Sequence, residues 1–334
     1  MNIIVPMAGM GKRLRPHTLS TPKPLLPIAG KPIVQRLVED IVAISHSKVE
    51  EIAYVVGRFG EEEEKKLILV AESLGAKGTI HYQDEALGTA HAILCAQSAL
   101  KGPVTVAFAD TLFRADFKLD TSLDGVLWVQ KIEDPRQFGV VIVNDEGIIT
   151  QFEEKPNVFI SDLAMIGIYY FNDGERLKKE LQYLIDHNIT NGGEYQLPDA
   201  LRNMVKQGAR FGPGAVQDWM DCGNKDAVVD TNKKYLEYNK DKNWVSSNLK
   251  KENAIVIAPC YIGDNVVLKN CIVGPHVSIG NGCIVENSII TNSVILPYAN
   301  LRNTVLNDTM MGSYTTLHGK VLSLSLGDYS VVKD

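Results

Sequence analysis

The side chains with most capacity for chemistry crowd into one stretch, MAGMGKRLRPHTLSTPKPLLPIAGKP, residues 7–32. Gly9 and Gly11 permit a tight turn whose backbone amides can approach a phosphate chain. Lys12, Arg13, Arg15 and Lys23 follow, while Pro16, Pro22, Pro24 and Pro27 forbid a regular helix through much of the segment. The product is an extended cationic loop against a glycine turn. Two common phosphate loops are excluded. Leu14 stands where a dinucleotide fingerprint needs its third glycine, and Arg13 stands where a Walker A loop needs Ser or Thr. Two readings remain. The loop is a solvated basic surface, or it clamps a triphosphate whose negative charge grows during phosphoryl or nucleotidyl transfer.

A loop of this kind needs a rigid edge to hold it, and the flanking pattern supplies one. Asn2–Met7 reads as a first strand feeding directly into the glycines. Residues 32–44 place Ile33, Val34, Leu37, Val38 and Ile41 on one helical stripe. Strands are expected at 51–56, 79–82, 104–109, 125–132, 139–143 and 164–171. Helices are expected at 61–74, 89–100, 174–187 and 197–207. This alternation to about residue 240 is the mark of βαβ units and a largely parallel sheet. Asp110 then falls at the carboxyl end of a strand, the edge where α/β sheets hold ligands; a plain cap or turn residue is the alternative.

Beyond a polar stretch at 241–253, expected to be a linker, the texture changes. Ile262 and Leu268 are six apart, and after a one-residue slip Val273, Ile279 and Val285 keep that step. Val266, Ile272, Val277, Cys283 and Ile289 follow four residues later, and Gly263, Gly280 and Gly327 follow leading aliphatics. A six-residue step fits a hexapeptide left-handed β-helix of roughly four coils of about 18 residues. A small antiparallel sandwich is the alternative.

Composition narrows the function classes. The 334 residues are 45% hydrophobic, enough for a sizeable core and about two domains. Forty acidic against 34 basic side chains leave a charge of −6, so a nucleic-acid partner is not expected. No apolar run reaches membrane-spanning length and no signal-peptide pattern opens the chain. Five cysteines without a C-x-x-C pair fit neither a zinc ribbon nor a disulfide framework, and free thiols suit the cytoplasm.

The loop resembles the signature of the sugar-1-phosphate nucleotidyltransferases, the NDP-sugar pyrophosphorylases. Gly9, Gly11, Arg13, Leu14, Pro16, Thr18, Pro22, Lys23, Pro24, Leu25 and Pro27 match at fixed spacing. Met7 stands where Ala is usual, and Lys12 where Ser or Thr is usual, so one hydroxyl contact to phosphate is replaced by an ammonium. The resemblance covers the first 240 residues and extends more loosely over the tail. It implies a Rossmann-like mixed-sheet nucleotidyltransferase domain at 1–240 followed by a short left-handed parallel β-helix at 254–334.

The resemblance also implies roles. Arg13 and Lys23 are the catalytic cations; Ala8, Gly9, Gly11 and Lys12 bind the nucleotide phosphates. Tyr82-Gln83 followed by LGTAHA resembles the base-recognition stretch. There the Gln83 amide can read a pyrimidine edge, Gly88 admits close backbone approach, and Thr89 either contacts nucleotide or caps the next helix. Gly139, Glu154, Lys155, Gly167 and Glu194 fall on the sugar-phosphate side. Asp110 and Asp221 match the two aspartates that hold Mg²⁺, a hard cation suited to carboxylates and phosphate oxygens. His17, His81 and His91 have no nameable partner, and His276 reads as a solvated turn residue. The implied substrates are a nucleoside triphosphate, dTTP or UTP, and a hexose 1-phosphate. A non-catalytic scaffold subunit and a bifunctional enzyme with an acyltransferase tail remain alternatives, and homo-oligomers through the repeats are expected.

Overall fold

Asn2–Pro6 is buried along its whole length, the condition of a strand covered on both faces of an α/β sheet. It pairs in parallel with Glu51–Val56 on one side and Val104–Ala107 on the other, and Lys77–Tyr82 extends the parallel run. Leu163–Phe171 then lies antiparallel to Val104–Ala107 and to Gly125–Lys131, so the sheet is mixed. Gly139–Val143 and Ile149–Glu154 complete that edge, and Phe211–Ala215 joins Gly125–Lys131 in parallel. Within this computed structural model the described residues are 1–45, 47–115, 119, 121–320 and 330. They divide into two units, Met1–Leu26 with Lys31–Val228, and Pro27–Gly30 with Val229 onward.

The helices of the first unit form where the apolar stripes place them: α1 (Ile33–Ile44), α2 (Glu61–Ser73), α3 (Thr89–Cys95), α4 (Gly174–Asp186) and α5 (Leu197–Lys206). Helix α3 ends at Cys95, short of the expected 100, because the amides of Ala96, Gln97 and Ala99 turn into three-residue loops. Among the described residues, strands that periodicity does not announce include Thr111–Arg114, Ile149–Glu154, Phe211–Ala215 and Asp218–Asp221. The FGPGA run looks like a turn. It survives as a strand because it lies at the edge of the sheet, where a proline's missing N–H costs no ladder bond. Helix α6 (Lys225–Tyr238) is also additional. Its buried face mixes Val228, Val229 and Leu236 with Thr231 and Asn232, which interrupts the apolar stripe.

In the second unit, three parallel sheets repeat coil by coil. One stacks Lys250–Glu252, Val267–Lys269, Ile284–Glu286, Asn300–Arg302 and Thr316–His318; two four-stranded sheets accompany it. This is the architecture of a short left-handed parallel β-helix. Val267 pairs with Ile284 and Ile284 with Asn300, so the coils step by 17 and then 16 residues, shorter than the 18 expected. Asn253, Asn270, Asn287 and Asn303 each turn a corner at φ between +46° and +53°. A single left-handed residue redirects the chain at once, so a coil closes in fewer residues than three full hexads. Their amides stack, Asn253 donating to Asn270, Asn270 to Asn287 and Asn287 to Asn303.

The leading aliphatics Ile262, Leu268, Val273, Ile279 and Val285 are all buried. Two of the expected companions are not: Ile272 is half-buried and Ile289 is exposed, while Cys271 and Ile290 fill the interior. The one-residue slip moves the inward phase on that sheet. The stretch 241–253 is also more than a linker, since Val245 bridges Ile262 and Lys250–Glu252 form the first rung. Gly327 lies outside the described residues.

Candidate active site

The parallel strands place three loops on one edge of the sheet: residues 7–32 after the first strand, 83–88 after Lys77–Tyr82, and 108–110 after Val104–Ala107. Between them lies a cleft of about 520 Å³. Ala8, Gly9, Gly11, Lys12, Arg13, Lys23, Gln83, Gly88, Thr89, Asp110 and Glu194 line it, together with Phe108 and Gly223. The glycine loop and the 83–89 stretch therefore meet in one place.

The turn at Gly11 is left-handed, φ +58°, and a Cβ there would come within 2.9 Å of Lys23 Cβ. Only glycine lets the two arms of the loop close on each other. Thr18 Oγ1 donates to the Gly11 carbonyl at 2.8 Å, and short 3-10 turns at Lys12–Leu14 and Lys23–Leu25 replace the helix that the prolines forbid. Lys23 is nearly buried, and its Nζ lies 2.9 Å from Asp110 Oδ2.

Asp221 reaches the same spot through a strand pair. Asp218–Asp221 runs antiparallel to Thr111–Arg114, with Asp221 opposite Thr111, and the Cys222 amide donates to the Asp110 carbonyl at 2.9 Å. The Asp221 carboxyl is raised above its ordinary range, first by burial and then by the Asp110 charge; Lys23, Arg13 and the Gly223 amide pull the other way. Arg13 Nη2 sits so close that a Cβ at Gly223 would lie 3.1 Å from it. Two carboxylates and two cations thus share one electrostatic cluster. Among the described residues no group of three or more His, Cys, Asp or Glu forms a metal cage. A pair of hard oxygen donors beside a phosphate-sized cleft fits Mg²⁺, which takes few protein ligands and completes its shell from substrate and water.

In the 83–91 stretch, Gln83 Nε2 donates to the Gly88 carbonyl at 3.1 Å and lies 3.2 Å from His91 Nδ1. His91 therefore has a partner, and so has His81, whose Nε2 is 3.1 Å from Thr79 Oγ1. Gly88 takes φ +109°, and a Cβ there would strike the Tyr195 carbonyl at 2.4 Å. Thr89 does not cap its own helix, where Gly88 holds the cap position. Its hydroxyl instead accepts from the Leu197 amide at 2.9 Å and donates to Gln196 Oε1 at 3.0 Å, capping α5. Glu194 lies beside Gly88 and accepts from Gln196 Nε2 at 2.8 Å.

Gly139, Glu154, Lys155 and Gly167 form a second group. Glu154 pairs with Gly139 across the strands, and a Cβ at Gly139 would come within 2.8 Å of Glu154 Oε2. Lys155 takes φ +46°, with Nζ 3.8 Å from Glu154 Oε1. Gly167, φ +84°, sits where the pairing of Leu163–Phe171 shifts register, and it accepts from the Phe108 amide at 2.9 Å. Tyr169, which the motifs do not single out, links the groups: burial raises its phenol, and the charges of Glu154 and Asp110 add to the shift. Its ring meets Phe108 edge-on at 6.2 Å. His276, expected to be solvated, is instead paired with Glu237 at 3.0 Å.

Similarity to known proteins agrees with this geometry. Residues 2–238 match the family model described as nucleotidyl transferase. The chain is 30% identical over 331 residues to the bifunctional protein GlmU of Methanococcus vannielii, covering 96% of this chain and 73% of that protein. It is 30% identical over 249 residues to the low-salt glycan biosynthesis nucleotidyltransferase Agl11 of Haloferax volcanii, covering 69% of this chain and 64% of that one. The nucleoside-diphosphate-sugar pyrophosphorylase of Vibrio cholerae RC9 shares the fold at 21% identity, with a TM-score of 0.60 over 69% of this chain and 99% of that one. No helix among the described residues is long and apolar enough to cross a membrane. With the signature loop, the paired aspartates and the mixed sheet in place, the chain belongs to the nucleotidyl transferase family.

Proposed function

We propose that this enzyme joins a sugar 1-phosphate to a nucleoside triphosphate, releasing pyrophosphate and an NDP-sugar. The observation that carries the reading is the cluster of Arg13, Lys23, Asp110 and Asp221 beside the glycine turn. The attacking group is already an anionic phosphate oxygen, so no Ser or Cys nucleophile and no general base is needed. Alignment and charge stabilisation at the α-phosphorus are what the site must provide. Ala8, Gly9, Gly11 and Lys12 cradle the triphosphate. Arg13 stabilises the leaving pyrophosphate, and Lys23 holds the α-phosphate region. Asp110 and Asp221 would hold Mg²⁺, which when bound neutralises phosphate charge. Gln83, Gly88 and Thr89 face the base, with dTTP or UTP the preferred triphosphates. Lys155 neutralises the sugar phosphate, while Glu154, Gly139, Gly167 and Glu194 contact a hexose.

A second reading has one observation behind it: the similarity to a protein named bifunctional runs through the tail. Against it, His276 is committed to Glu237 and only one-fifth exposed. An architectural tail that assembles homo-oligomers fits the exposed faces of the coils better. Free cysteines throughout support a cytoplasmic location. The test is a matrix of nucleoside triphosphates against sugar 1-phosphates with Mg²⁺, scored by pyrophosphate release. Release confined to pairs containing dTTP or UTP is expected; no release from any pair overturns the reading.

A further inference from the structure

Gln83 lines the cleft, and both hydrogens of its side-chain amide are spent inside the protein. One is donated to the Gly88 carbonyl at 3.1 Å and the other faces His91 Nδ1 at 3.2 Å. A carbonyl oxygen only accepts, so the atom beside it has to be Nε2, and the amide has one orientation. The same reasoning fixes the imidazole. Nδ1 faces an N–H and must accept, which leaves the ring proton on Nε2, 4.0 Å from Cys95 Sγ one turn along α3. Oε1 is then the polar atom of Gln83 that remains. Among the described residues nothing donates to it, and it is not sealed from solvent.

The backbone that carries these partners is pinned. The Gly88 carbonyl also accepts from the Ala92 amide at 3.1 Å, a bond that opens α3. The Leu87 carbonyl accepts from the Tyr195 amide at 2.8 Å, and the Ala90 amide donates to the Tyr195 carbonyl at 2.9 Å. At the other end of the loop the main-chain amide of Gln83 donates to the Val56 carbonyl at 2.9 Å.

We propose that His91 is a positioning residue for base selection: with the Gly88 carbonyl it consumes the donors of Gln83, so that the side chain offers the cleft an acceptor alone. The proposal rests on the reading that Gln83 faces the base. His91 itself does not line the cleft and acts through Gln83. An amide free to turn would offer a donor or an acceptor and tolerate either kind of base edge. Held in this way, it favours a base with an imino N–H, such as N3–H of uracil or thymine. Cytosine and adenine present a ring acceptor at that edge, and an unpaired acceptor facing another is costly.

The experiment uses the full chain with Mg²⁺ and compares UTP with 3-methyl-UTP, in which a methyl group replaces the N3 proton. The parent is expected to show a KM about tenfold higher for the methylated nucleotide, the scale of one unmade hydrogen bond. His91→Phe keeps a ring and removes its nitrogens, and His91→Leu is a second variant with the same expectation. In both, the KM ratio should fall below about threefold while kcat with UTP stays within about twofold, since the contact lies away from the reacting phosphorus. His91→Asn, whose side-chain oxygen accepts in place of Nδ1, should keep a ratio above about fivefold. A merely structural role would weaken both nucleotides equally and leave the ratio unchanged. An unchanged ratio in the Phe and Leu variants, or an Asn variant as indifferent as the Phe variant, overturns the proposal. So does a parent active only with CTP or ATP. If the parent releases no pyrophosphate with any substrate pair, the reading of the reaction fails, and titration of the full chain with UMP and 3-methyl-UMP decides. A binding ratio of about tenfold that collapses in His91→Phe upholds the role of His91; any other pattern refutes it.

Discussion

At the residue scale the site is a balance of charges, and each can be removed singly. Lys23→Ala and Arg13→Ala should each lower kcat by about 10²–10³, the usual cost of deleting one donor to developing charge. A change confined to KM would make them ground-state binders. Asp221 supports a sharper prediction. Its carboxyl is raised by burial and by Asp110, so folding disfavours the ionised form. The destabilisation is fully present above the folded pKa. It shrinks as pH falls through that value and is gone below the unfolded one, about 3.9. In EDTA, Asp221→Asn should therefore melt higher than the parent at neutral pH, with the gap closing toward pH 4. Mg²⁺ should raise the parent's Tm and leave the variant's unchanged, and a gap independent of pH would refute the charge argument. Much of this site was legible in the sequence, because glycines, prolines and cations at fixed spacing encode the loop locally. Tyr169 and the His91–Gln83 contact were not legible: one depends on strands distant in sequence meeting, the other on how the 83–88 loop folds back onto the first turn of α3.

At the scale of elements, the corner asparagines do the work that hexad counting overlooks. Asn287 takes φ +48°, accepts from Asn270 and donates to Asn303. Asn287→Ala should destabilise the coils by about 1–2 kcal/mol, since alanine in the left-handed region suffers the Cβ–carbonyl clash and forms no ladder. Asn287→Gly, free of that clash, should lose less. Urea midpoints of the two variants check the order; equal losses would assign the whole effect to the amide ladder. Elements with one clean period were readable in the sequence, such as Glu51–Val56 and Gly139–Val143, which match their expected bounds. Those whose identity depends on a distant partner were not. Asp218–Asp221 is too short to show a period and exists as a strand through Thr111–Arg114. Helix α6 hides its stripe behind Thr231 and Asn232, polar residues recruited to the interior.

At the scale of the whole molecule, the outward phase of one sheet acquires a meaning that the inward phase does not explain. Ile255, Ile272, Ile289 and Val305 are paired rung to rung, and three of them are 58%, 43% and 79% exposed: Ile255, Ile289 and Val305. Rungs about 4.8 Å apart make these side chains a continuous apolar ladder on a flat face. The Asn253, Asn270, Asn287 and Asn303 column lines the same groove. Such a stripe on a solvated surface is costly to leave bare, and a second copy of the same face would cover it with matching spacing. The parent should therefore sediment as a multiple of the single chain, and Ile289→Glu combined with Val305→Glu should return it to single-chain mass. Neither residue lines the cleft of Arg13, Lys23 and Asp110, so pyrophosphate release by the variant should persist. A parent of single-chain mass, or a variant whose mass is unchanged, would remove the assembly role from this face. Loss of release together with loss of mass would instead tie turnover to the assembled state.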